Sequence, residues 1–197
     1  MIPVPSSLKE IGKLKVTPYS EVRDKLETGD LVFCSGKYAI SGIIRFFSKS
    51  MFSHVGIIYR DTNLDRVLIL EAEIIYGVRL APLSKYMKDY HGNHKPYNGR
   101  MLLAKWKNPI PAEELKKAIS FGMDELTRPY DNWEIFRILL RVLFRVGRKE
   151  RNRSYICSEL IVECFKKIDI KFKKNNTYIS PDEVAKDPKL QFIERIL

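Results

Sequence analysis

The strongest hydrophobic patterning in the chain lies in SHVGIIYRDTNLDRVLILEAE, residues 53–73. Two runs rich in β-branched residues flank the polar RDTNLD, which predicts an antiparallel hairpin. DLVFCSG (30–36) and RMLLAKW (100–106) read as further strands, and YGVRLAPLSKYM (76–87) as a strand running into a turn at Pro82. Period-3.6 patterns predict helices in YAISGIIRFFSKSMF, with Arg45 and Lys49 turned outward, and in AEELKKAISFGMDELT, opened by Pro111. Others are predicted in WEIFRILLRVLFRVG (133–147) and RSYICSELIVECF (153–165). YSEVRDKLETGD carries a short helical pattern stopping at Gly29, and SPDEVAKD a short capped turn. Residues 1–19, with Pro3, Pro5 and Pro18, read as an extended lead-in, and HGNHKPYNG as a polar loop. There are no repeats and no linker. The expectation is one domain over residues 1–197, of which 1–24 form an N-terminal extension.

Composition adds bounds. A chain of 197 residues that is 45% hydrophobic suits one well-packed core. Three cysteines without framework spacing argue against a disulfide scaffold and fit a reducing compartment. MIPVPSSLKEIGKLKV lacks the apolar core of a signal peptide, and no apolar run is long enough to span a bilayer. The expected location is cytoplasmic, with peripheral contact at a membrane left open. A formal charge of +11 suits an anionic partner, but the lysines are spread along the whole chain. No nucleic-acid module is recognisable, so no specific nucleic acid is expected.

The chemistry centres on Cys157. In the helix around it, Cys157, Leu160, Ile161, Cys164, Phe165 and Ile168 share one face, the stripe that points to a core. Cys164 sits mid-helix and reads as a small hydrophobe. Cys157 lies in the first turn, where free backbone N–H groups and the helix dipole favour a thiolate and can stabilise an oxyanion. A nucleophilic cysteine needs a base, usually histidine, oriented by a third polar group. His91 and His94 in HGNH lack accompanying ligands, so they read as a solvated loop, and no metal or cofactor is expected. His54 stands in the otherwise apolar SHVGIIY, with Gly56 two residues on leaving room for an approach. A hairpin turn centred between Thr62 and Asn63 would set Glu71 directly opposite His54. Glu73 is the alternative if the register slips by two.

GDLVF (29–33), SHVGI (53–57), EA…YGV…APL from Glu71, RPYD (128–131) and YICSEL (155–160) occur in that order. Together they resemble the circularly permuted papain-like hydrolases of the NlpC superfamily, in the YiiX-like and poxvirus-type branch. Lecithin:retinol acyltransferases are more distant relatives. The resemblance spans about residues 25 to 185. It implies an α+β fold in which a small antiparallel sheet or half-barrel carries His and Glu and packs against a helix with the cysteine at its N-terminus. It also implies Cys157 as nucleophile, His54 as base and Glu71 as the orienting residue. The reaction it points to is cleavage or transfer at an amide or ester through a thioester acyl-enzyme. A non-catalytic lipid- or protein-binding module on the same fold is the alternative.

Tyr130 and Asp131 in RPYD, and Ser158 beside the cysteine, are candidates to bind substrate, although turn and capping roles account for them as well. Arg137, Arg141 and Arg145 form an i, i+4 stripe beside a broad apolar face. Such a helix can lie on an anionic membrane or can simply turn its arginines to solvent. The expected partner is a peptide, protein or lipid-linked substrate.

Overall fold

The structure is a computed structural model that describes residues 2–128, 157–173 and 179–197. Its frame is a six-stranded antiparallel sheet built from β1 (Leu31–Gly36), β2 (His54–Asp61), β3 (Arg66–Glu73), β4 (Gly77–Pro82), β5 (Gly99–Trp106) and β6 (Leu190–Arg195). The strand order is β4-β3-β2-β1-β5-β6. Among the described residues six helices surround it: α1 (Leu8–Lys13), α2 (Tyr19–Val22), α3 (Ala39–Ser48), α4 (Leu83–Lys88), α5 (Ala112–Asp124) and α6 (Cys157–Lys166). A seventh, α7 (Pro181–Ala185), precedes β6. The architecture is α+β, as the family resemblance implies.

Both faces of the sheet are covered, which explains why its central strands are apolar at nearly every position. On one face Leu31, Phe33, Val55, Ile57, Leu70 and Leu102 pack with Ile119 of α5 and Leu160, Ile161 and Phe165 of α6. On the other, Val32, Cys34, Ile58, Val67 and Ile69 pack with Leu83 and Tyr86 of α4 and with Tyr90 and Tyr97. α6 lies against β2 and β3 and also touches α5.

The hairpin forms as expected but in a different register. Asp61 pairs with Arg66 and Ile57 with Leu70, a shift of two from the pairing that would face His54 with Glu71. The turn explains it. The Asp61 carboxylate accepts the N–H groups of Asn63 and Leu64, both at 3.0 Å, and Asp65 takes a left-handed φ of 47°. An aspartate closing its own turn in this way selects a longer loop than the sequence pattern suggests.

Four other local readings are corrected. The lead-in is not extended throughout: α1 forms there, with the Ser7 side chain accepting the Glu10 N–H and Ile11 buried in the core. The stretch after Pro18 makes one α-turn and then tightens to a 3-10 turn at Arg23–Lys25, before Gly29 at φ 96°. LQFIER, at the C-terminal edge, is a strand that no sequence pattern had flagged; it pairs with β5 across a bulge at Leu103/Ala104. In α3, Arg45 is not turned outward, because its guanidinium donates to the Gly36 carbonyl.

The helix expected over 133–147, with Arg137, Arg141 and Arg145, lies outside the described residues, as do Tyr130 and Asp131. Among the described residues no helix is long and apolar enough to cross a membrane.

Candidate active site

His54 is the first residue of β2 and Cys157 the first residue of α6. Packing of α6 on β2 and β3 brings the two starts together, and the Cys157 side chain lies near enough to the imidazole to favour its protonation. The start of β2 is held against β1 by the Ser53 N–H to the Cys34 carbonyl at 2.9 Å and by the Gly36 N–H to Ser53 Oγ at 3.1 Å. The strand end carrying the imidazole is therefore fixed on its backbone. Its ring is only 16% exposed.

On its other side His54 meets Glu71, with Nε2 2.6 Å from a carboxylate oxygen. With Nε2 engaged there, Nδ1 is the ring nitrogen left for the thiol. Glu71 is 0% exposed, yet its charge is well satisfied. Arg79 Nε donates to its Oε1 at 2.8 Å, and the Tyr86 hydroxyl donates to its Oε2 at 2.5 Å. A buried carboxylate with three donors, two of them cationic, avoids the cost of an unpaired buried charge. Arg79 faces Glu71 directly in the β3–β4 ladder, and Tyr86 comes from α4.

The electrostatics follow from this packing. Burial disfavours charge on His54, but hydrogen bonds to Cys157 and Glu71 outweigh it and push its pKa up to about 10. Burial likewise disfavours the Glu71 carboxylate, and the His54 hydrogen bond and charge, together with Arg79, hold it below its ordinary value instead. Burial, followed by the Glu71 charge, raises Tyr86 well above the usual phenol range, so it stays a proton donor. An imidazolium set between the Cys157 side chain and a carboxylate, with a guanidinium behind the carboxylate, alternates positive and negative charge through the site.

The two carboxylates that the sequence left open are separated clearly. Glu73 accepts the N–H groups of Ile75 at 2.8 Å and Tyr76 at 3.2 Å, closing the β3–β4 turn, and takes no part beside His54. Gly56 does not leave space for an incoming group. A Cβ there would meet the Ile69 side chain at 2.6 Å and the Leu70 carbonyl at 3.2 Å, so the glycine admits β3.

Ser158 is fully buried and its hydroxyl donates to the Ile179 carbonyl at 2.5 Å, tying the start of α6 to the chain just before α7. The side chain faces the interior. Cys164 sits in the core, and burial, with Glu125 next, pushes its thiol up to about 12. Cys34 is paired with His54 across β1 and β2, and burial raises its thiol well above the usual range. His94 is solvent-facing, and the His91 ring lies against Tyr90 at a tilt of 55°, with ring centroids 3.9 Å apart. Sequence reasoning missed Arg79 and Tyr86. Arg79 was readable in principle as the cross-strand partner of Glu71 in a second hairpin, whereas nothing local marks Tyr86.

The profile of the permuted papain-like amidase enzymes, the YaeF/YiiX or C92 family, matches residues 25–194. A search of curated sequences finds no match. Among solved structures, the chain is similar to the metalloprotein yiiX from Escherichia coli O157:H7. The TM-score is 0.61 at 17% identity, covering 85% of this chain and 96% of that one. That likeness concerns the fold. The histidine strand precedes the cysteine helix in this chain, the order expected of a permuted arrangement. With the profile covering most of its length, the chain belongs to the permuted papain-like amidase family, YaeF/YiiX, C92.

Proposed function

We propose that the protein is a thiol hydrolase that opens an amide bond, or an ester of similar shape, through a thioester on Cys157. The observation that carries this reading is the placement of His54, in contact with Cys157 on one side and 2.6 Å from buried Glu71 on the other. The thiolate attacks the substrate carbonyl, and backbone N–H groups at the start of α6 face the developing oxyanion. The tetrahedral adduct collapses as the His54 imidazolium gives its proton to the leaving nitrogen or oxygen. Neutral His54 then takes a proton from water as the water attacks the thioester. The acid product leaves and the thiolate–imidazolium pair is restored. Glu71 holds the ring and its charge throughout, and Arg79 and Tyr86 hold Glu71.

The family's description as amidases puts an amide first and an ester second. The yiiX relative is described as a metalloprotein. Among the described residues of this chain, no group of three or more His, Cys, Asp or Glu side chains is placed to hold a metal ion.

The test is intact-mass detection of an acyl adduct during turnover of a panel of N-acyl amides, peptide amides and acyl esters. Mapping of the adduct to Cys157, with its loss in His54→Ala, supports the reading. A protein that binds members of the panel without any adduct or product is a binding module on the same fold.

A further inference from the structure

Helix α3 is built inside out. On a helical wheel, Ala39, Ile40, Ile43 and Phe46 fall within an arc of about 120°. That arc faces solvent: Ile40 is 38%, Ile43 43% and Phe46 76% exposed, and Ala39 is exposed as well. The opposite side carries the polar groups. Ser41 is buried, Arg45 donates back to the Gly36 carbonyl, and Ser48 Oγ donates to the Ile44 carbonyl at 2.6 Å. A helix serving only the core would show the reverse, since turning isoleucine and phenylalanine to water forgoes their burial.

Charge identifies what such a face suits. No acidic residue occurs between Asp30 and Asp61, whereas Lys37, Arg45, Lys49 and Arg60 lie in that interval. Exposed Lys37 and Lys49 flank the apolar arc at either end of the helix, and Lys49 caps it in a left-handed conformation. Apolar side chains facing out between flanking cations, on a chain of charge +11, are the complement of an anionic bilayer surface. We infer that α3 is an interfacial anchor, which lays Ile40 and Ile43 into the surface of an anionic membrane. The inference is independent of the proposed thiol chemistry. If both hold, α3 and β2, separated only by residues 49–53, set the bilayer and His54 close together along the chain.

The experiment is co-sedimentation of the full chain with vesicles of phosphatidylcholine alone and of phosphatidylcholine with phosphatidylglycerol. Wild type is compared with Ile40→Ser/Ile43→Ser and with Lys37→Gln/Lys49→Gln. Thermal melting of each variant without lipid checks that the fold persists. The expected result is binding to the anionic vesicles only. The serine pair should bind roughly tenfold more weakly although its charge is unchanged, because two apolar side chains no longer enter the interface. The glutamine pair should bind more weakly at low salt. Equal binding by the serine pair and wild type overturns the inference, because charge elsewhere on the chain would then account for the attraction. So does failure of wild type to sediment at low salt. A dimer of wild type in solution that the serine pair dissolves overturns it too, by assigning the face to a second copy of the chain.

Discussion

Glu71 engages His54 along a diagonal of the sheet: the register offsets Glu71 by two residues from a direct facing position, and its oxygen still reaches Nε2 at 2.6 Å. Diagonal neighbours in an antiparallel pair lie ~7–8 Å apart at Cα, within reach of a glutamate and a histidine leaning toward each other. The directly facing partner of Glu71 on the other side is Arg79. One carboxylate thus serves an imidazole on β2 and a guanidinium on β4, and the ring can neither flip nor swing away without stranding a buried charge.

Replacement of Glu71 by glutamine keeps the shape and removes the charge. The His54 pKa should fall from about 10 toward the ordinary imidazole range. Turnover should drop on the order of 10²-fold or more, the scale of a positioned acid–base group. NMR titration of the His54 ring, alongside kcat on the best substrate of the panel, checks both. An unshifted titration would detach Glu71 from the imidazole.

The pH dependence has a definite sign. His54 titrates higher in the folded protein, at about 10, than the ~6.5 of an unfolded chain. Its protonation therefore stabilises the fold fully below about pH 6.5, and that contribution is lost as pH rises through about 10. Glu71 runs the other way: its lowered value stabilises the fold above the unfolded ~4.3, and the benefit is lost as pH falls through the folded value. The melting-temperature gap between wild type and His54→Gln should narrow steadily from about pH 7 to about pH 10.5. A gap of constant size across that range refutes a retained imidazolium.

Thiol reactivity separates the three cysteines. All three are buried, but Cys34 and Cys164 are sealed completely with thiols pushed up by burial, whereas Cys157 keeps 7% exposure and lies beside the His54 imidazolium at a helix start. Iodoacetamide should modify Cys157 first in the folded protein, and His54→Ala should slow that step while leaving the other two unreactive. Peptide mapping over time gives the order, and equal labelling of all three would exclude an activated thiol.

Removing the Tyr86 hydroxyl tests the buried network. Tyr86→Phe deletes one of three donors to a fully buried carboxylate, at a cost of about 1.5–3 kcal/mol in unfolding free energy. Ser158→Ala should likewise act on stability, through the lost bond to Ile179, with KM unchanged. Denaturant melts and Michaelis constants on the same preparations distinguish these outcomes from a substrate contact.

Patterning made β1 to β5 and most helices legible, and β6 not, because burial on both faces of the sheet writes long apolar runs at Leu31–Cys34, Val55–Ile58 and Met101–Ala104. The pairing of His54 with Glu71 was legible for a partly mistaken reason. The choice of glutamate matched the geometry, while the register it was drawn from did not, since Asp61 turns its own backbone in a way no periodicity records. Tyr86 was hidden because a tyrosine on a six-residue helix carries no sign of the carboxylate it meets across the fold. The direction of α3 was hidden too. An amphipathic pattern names two faces but not which one meets water, and the Gly36 carbonyl that draws Arg45 inward belongs to another element.

The order of elements along the chain has a consequence for synthesis. β1 to β5, and with them His54, Glu71, Arg79 and Tyr86, are all translated before Cys157. A ribosome adds ~5–20 residues per second, so the charged network has seconds in which to assemble without the Cys157 thiol. The thiol arrives as the last member of a prepared setting, and in a nascent chain the proposed Cys157–His54 pair exists only once α6 has docked.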